Sequence, residues 1–228
     1  MSNRPALARI LPFALFMAFI GLEELLRLGQ THGIAIPENL LLILYPIKVV
    51  CVAVVLWYFR RDYSEINWRD LGNYRLTFGS IVLGVTIFVL WINMDWSWAA
   101  FGVPKGYNPS VLPSETANII LIVCRMIGAV MLVPVMEELF WRSFLFRYLI
   151  SSPFIRVSIG KSNPLAFWGT TLLFGLEHTY FVAGMMAGAL FNLLFIRSRS
   201  LVQCILCHAV ANLSLGLYVL SFSQWRFW

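Results

Sequence analysis

Three observations make the sequence predict an all-α fold, a polytopic transmembrane helical bundle of about seven spans (six to eight). Of its 228 residues 60% are hydrophobic and only 12% charged, with a mean hydropathy of +0.77. That is too little polar surface to cover a water-soluble globule. Several apolar stretches approach or exceed the roughly 20 residues that a helix needs to cross a bilayer core. Lys and Arg fall on alternate connections between these stretches, as the positive-inside rule arranges them. Backbone groups in lipid must be paired within their own segment, so the spans are helices. They take up nearly the whole chain, which reads as a single transmembrane domain, 1–228.

The first apolar run, about 6–27, follows Arg4 and Arg9 and looks like a signal peptide. No small-residue cleavage pattern follows it, so it is expected to remain as the first span. Further spans are predicted at about 39–59 and 77–95. The fourth run, about 116–149, is too long for one straight span and contains Pro134, which predicts a kink, a separate half-helix or an oblique path. Spans at about 164–180, 181–196 and 200–221 complete the bundle.

Arg4 and Arg9, then Arg60, Arg61, Arg69 and Arg75, then Arg147, Arg156 and Lys161, then Arg197 and Arg199 are expected on the cytoplasmic side, with the N-terminus. The connections 28–38 and 96–114 are poor in Lys and Arg, and the second is rich in Trp, Pro and Gly, as an interfacial segment on the far side would be. Topology thus accounts for the net charge of +6, and without a basic stripe no nucleic-acid partner is expected. Cys51, Cys124, Cys204 and Cys207 all lie in apolar runs and read as packed thiols.

An ionisable side chain at membrane depth costs at least a few kcal/mol, so each needs a partner or a task. Glu138 and Arg142 are four apart with the acid first, the favourable order for an ion pair on one helix face, which leaves Glu137 available. Phe174 and His178 are also four apart, so the ring can pack beneath the imidazole. His208 and Asn212 repeat the spacing and can present hydrogen-bond donors on one face. Each pair alone reads as readily as packing or interhelical glue. Three such pairs on three helices point to one site.

Glu-Glu-x-x-x-Arg, Phe-x-x-x-His and His-x-x-x-Asn, in this order over about 125–215, resemble the CAAX prenyl protease and bacteriocin-processing family, the CPBP or Abi intramembrane proteases. The helix carrying Gly184 and Gly188, followed by Arg-Ser-Arg-Ser-Leu at 197–201, is similar to the family's small-residue helix. The resemblance implies a metal-independent glutamate protease without cofactor, its catalytic core at about 115–221. Within the family the chain is most similar to a bacterial CAAX protease-related branch associated with exosortase systems. That implies the bacterial cytoplasmic (inner) membrane, a membrane-embedded or membrane-anchored peptide substrate in the lipid bilayer, and an exosortase-type sorting system as partner. Glu177 departs from the family, which usually has an apolar residue there. On a helix it points about 100° from His178 and is expected to pair elsewhere, for example with Arg125.

Peptide hydrolysis needs an activated water, a group that holds it and donors for the oxyanion. Glu137 suits the base, His178 the opposite side of the water, and His208 and Asn212 the oxyanion. Glu138 and Arg142 then support, with Phe174 setting the His178 rotamer. His178 lies near the end of its short span, whereas Glu137 and His208 lie nearer mid-depth, so a kink at Pro134 or a tilted fifth helix must absorb the mismatch.

A Glu with two His is also a zinc set, although the His-Glu-x-x-His helix is absent. A non-catalytic membrane immunity or partner protein would keep the same polar pairs for packing. Cys204-Ile-Leu-Cys207-His208 spells a haem-attachment pattern, but inside an apolar helix that the attachment machinery does not reach. Glu23, Glu24 and Arg27 imitate the first motif one residue short and read as an ion pair near a helix end. Lys48 and Arg125 read as cations that snorkel or pair with a carboxylate, with a substrate-carboxylate role weighed for Arg125.

Overall fold

The computed structural model describes residues 3–102 and 106–228, the side chain of Glu38 excepted; residues 103–105 of the predicted interfacial connection lie outside the described residues. The chain is helical almost throughout. We number the helices α1 (Arg4–Thr31), α2 (Glu38–Tyr58), α3 (Tyr74–Ile92), α4 (Glu115–Tyr148), α5 (Pro164–Leu176), α6 (Phe181–Ser198) and α7 (Leu201–Phe222). Short polar residues start four of them. Side chains of Asn73, Ser114, Asn163 and Ser200 accept from the backbone N–H of Leu76, Ala117, Ala166 and Gln203, meeting donors that have no partner in the first turn.

Six helices, all but α5, are long and apolar enough to cross a membrane, and large side chains such as Val50, Val54, Ile120, Leu165 and Leu217 face outward. The chain is a multi-pass membrane protein. The fifth helix differs from expectation: it ends at Leu176 rather than running to 180, and its 13 residues rise about 20 Å, short of a bilayer core of about 30 Å. The fourth does not break at Pro134. It stays one helix, widened into π-helical turns at Gly128–Leu132 and Leu139–Leu145 on either side of the proline. Such turns accommodate a residue that cannot join the regular ladder.

The basic connections gather at one end of the bundle. Arg4 pairs with Asp62 at 3.0 Å, Arg147 donates to the carbonyls of Val157 and Ile155 at 2.9 and 3.1 Å, and Ser200 donates to Asp70 at 2.5 Å. Arg9, expected among the loop charges, is instead fully buried within α1. Its guanidinium meets Glu65 at 2.6 Å, the Ser143 hydroxyl at 3.0 Å and the Pro5 and Asp62 carbonyls, and Ser143 in turn donates to Glu65. This junction ties α1 and the α2–α3 connection to α4. At the other end Arg226 pairs with Asp95 at 2.9 Å, and the N–H of Phe101 donates to the Thr179 carbonyl at 2.8 Å, seating the 96–102 segment over the α5–α6 turn.

Burial pushes the Glu65 carboxyl up, but the hydrogen bonds and charge of Arg9 outweigh it and hold the group below its ordinary value. A lowered folded pKa contributes stability that is complete above the ordinary carboxylate value and is lost as pH falls through the lowered one. Glu65→Gln strands a buried guanidinium and is expected to cost about 3–5 kcal/mol. Thermal unfolding in detergent should show a Tm several degrees lower, with a weaker decline on acidification than the unmodified chain.

Candidate active site

Glu137, Phe174, His178, His208 and Asn212 line one cavity of about 390 Å³ to which all seven helices contribute. Glu138 and Arg142 stand behind its wall. Both are buried, Arg142 Nη1 lying 3.1 Å from Glu138 Oε1 in the four-residue spacing. The guanidinium also donates to the Gly188 carbonyl at 3.4 Å and lies over the rings of Phe174 and Phe191, at 4.7 and 5.1 Å. Glu138 Oε1 accepts from His208 Nδ1 at 3.0 Å as well. One carboxylate thus holds a charge on its own helix and an imidazole of α7.

His208 is stacked on Phe191 with centroids 4.8 Å apart, and its Nε2 faces Glu137 Oε2 at 4.0 Å. That gap is too long for a direct hydrogen bond and suits one bridging water. His178 sits in the turn after α5. Its Nδ1 lies 2.7 Å from the Phe174 carbonyl, which can only accept, so Nδ1 carries the proton and Nε2 is the free nitrogen. The ring packs on Phe174 at 4.8 Å, as the spacing predicts, and against Trp91 of α3 at 5.3 Å. Asn212 Nδ2 donates to the Ala129 carbonyl at 2.8 Å, inside the first π-helical stretch of α4, which leaves one amide N–H uncommitted.

The expected depth mismatch is met where α5 ends, while α4 stays one helix across Pro134. Because α5 stops after 13 residues, its following turn dips into the bundle and carries His178 to the level of Glu137. Glycines make this hairpin tight. A Cβ at Gly184 would stand 2.9 Å from the Gly175 Cα, and one at Gly188 3.2 Å from the Phe174 Cβ. Asn192, one turn on, donates to Thr170 and Thr171 at 2.9 and 3.1 Å, closing the α5–α6 face.

Glu177 differs from its expectation. The helix ends at Leu176, so the 100° separation no longer holds, and Glu177 turns into the same cavity. Ligand atoms of Glu137, Glu177 and His178 lie within 4.8 Å of one another, and both Glu177 oxygens are buried without a hydrogen bond. Arg125 packs over Tyr45 and Tyr107 instead, at 4.3 and 5.2 Å. Glu23 and Arg27 form the expected ion pair at 2.9 Å. All four cysteines are free, and Cys204 and Cys207 are fully buried, so the haem-like spelling is a packing feature. The aromatic groups that fix the imidazoles, Trp91 and Phe191, carry no spacing signal in the sequence.

Residues 116–214, less than half of the chain, match the family described as Rce1-like, type II CAAX prenyl endopeptidase Rce1-like. No curated protein and no solved structure matches the chain. The matched stretch begins in α4, ends in α7 and contains every motif residue of the cavity.

Glu138→Gln weakens the contact that holds both Arg142 and His208, whereas Glu137→Gln alters a carboxylate that has no short hydrogen bond to a neighbour. Thermal melts of the two variants in one detergent should therefore differ, with Glu138→Gln losing about 3–5 kcal/mol and Glu137→Gln within about 1 kcal/mol of the unmodified chain.

Proposed function

We propose that this chain, similar to type II CAAX prenyl endopeptidases over residues 116–214, is a membrane-embedded protease that hydrolyses a peptide bond with a water activated by Glu137 and His178, without a metal. The observation that carries the reading is the convergence of Glu137, His178, His208 and Asn212 on one cavity within the apolar bundle. Glu137 takes a proton from the water as its oxygen attacks the carbonyl carbon, while the free Nε2 of His178 accepts the water's other hydrogen bond. A His208 protonated on both nitrogens donates one to Glu138 and turns the other to the forming oxyanion, with the spare N–H of Asn212 beside it. Glu137 then returns its proton to the leaving amine, which breaks the C–N bond.

A membrane-embedded or membrane-anchored peptide is the substrate that reaches such a cavity. The resemblance to the exosortase-associated branch supports the cytoplasmic membrane of a bacterium, and the distribution of Lys and Arg supports a basic end and an N-terminus in the cytoplasm. An exosortase-type sorting system is the proposed context.

One observation favours a second reading. Glu137, Glu177 and His178 offer three ligand atoms in close reach, and a histidine whose Nδ1 is bonded to a carbonyl presents Nε2 as metal-bound histidines do. Activity that survives a strong zinc chelator, in protein free of stoichiometric zinc, supports the water-only mechanism; loss restored by added zinc supports the second.

Membrane proteomes of cells holding the unmodified protein or Glu137→Gln should differ in at least one membrane protein that accumulates uncut with the variant. Equal cleavage in both contradicts a general base at Glu137, since the amide is isosteric and cannot take the proton.

A further inference from the structure

The cavity that holds Glu137 extends along α4 to two cations, Lys48 of α2 and Arg125. Lys48 is 4% exposed, its Nζ 4.3 Å from the Phe16 ring and 4.9 Å from the Tyr45 ring. Arg125 lies on Tyr45 too, its Cζ 4.3 Å from the ring centroid, and its buried Nε has no acceptor. Among the described residues no carboxylate forms an ion pair with either, and Glu23, which lines the same cavity, is engaged by Arg27 at 2.9 Å. Lys48 is ten residues into the 21 of α2, near the middle of a span that matches a bilayer core of about 30 Å, and Arg125 shares its Tyr45 ring.

Two like charges that share one aromatic ring at this depth repel each other, and neither can snorkel to water without leaving the ring. Unpartnered intramembrane cations mark a ligand path. We propose that Lys48 and Arg125 form an anion subsite for a carboxylate carried by the peptide substrate, an inference that rests on the protease reading of the same cavity. A lipid phosphate stays at the interface, some 15 Å away. Twelve residues separate Arg125 from Glu137, about 18 Å along α4. An extended peptide covers about 3.3 Å per residue, so the carboxylate lies about five residues from the bond that is cut. The subsite thus fixes the register of cleavage.

Binding tests this apart from cleavage. The full chain carrying Glu137→Gln, in phosphatidylcholine nanodiscs, is titrated with a dansyl-labelled leucine-alanine hexapeptide as the free acid and as the terminal amide. The acid is expected to bind about tenfold or more tighter, as charge-assisted hydrogen bonds give. Lys48→Met or Arg125→Met should each abolish that preference, leave amide binding within about twofold and leave Tm unchanged or higher, since each removes an intramembrane cation that has no ion-pair partner. Equal binding of acid and amide overturns the proposal. So does an acid preference that persists in both variants, or a fall in Tm without loss of preference, which assigns the cations to packing. Loss of the preference in phosphatidylglycerol nanodiscs would give the site to a lipid phosphate and equally overturn it. A failed preference leaves the Glu137 chemistry standing, whereas absence of any uncut protein with Glu137→Gln fails the protease reading on which the subsite rests, so the two failures are read separately.

Discussion

The site depends on one desolvated cluster, the carboxylate of Glu138 between Arg142 at 3.1 Å and His208 at 3.0 Å. Removed from water, none of these groups tolerates the loss of a partner, so the three fix the register of α4 against α7. Arg142 extends the lock to α6 through the Gly188 carbonyl and to α5 through the ring of Phe174. Glu137 is the adjacent residue on the same helix and therefore points about 100° away, into the cavity. Two neighbouring glutamates of one chemistry thus take two tasks. One is held by charge, and the other keeps its lone pairs free.

Irregular backbone at membrane depth is tolerated where it is buried in protein or lines a cavity. Here it occurs twice. The π-helical stretch Gly128–Leu132 presents the Ala129 carbonyl to Asn212, and the turn after α5 brings Glu177 and His178 inside the bundle. Both depend on close approaches. A Cβ on Gly128, which opens the first stretch, would stand 2.5 Å from the Tyr45 hydroxyl of α2, and Gly175 faces Gly184 in the α5–α6 hairpin. The polar interior is therefore built from small residues that let helices approach, with aromatic rings of Phe174, Phe191 and Trp91 wedging the imidazoles.

Helices α1 to α4 and α6 to α7 were legible because apolar length is a one-dimensional signal. The Glu138–Arg142 and Phe174–His178 contacts were legible for a related reason, four-residue spacing on a helix being local. What escaped depends on where a helix stops and on what lies across from it. The direction that helical geometry gives Glu177 fails because the helix does not reach it, and Arg9, placed by sequence beside a loop, is drawn into the interior by Glu65, 56 positions away. The pairing of His208 with Glu138 spans 70 positions, and no spacing rule carries that far.

The central claim is that Glu137 and His178 act on the same water. A double-mutant cycle of Glu137→Gln and His178→Gln on kcat/KM for cleavage of a membrane substrate measures this directly, because groups that share one task fail together. The account predicts a double variant about as slow as the slower single one. Losses that add in free energy, each substitution costing its full factor whether or not the other is present, would contradict it.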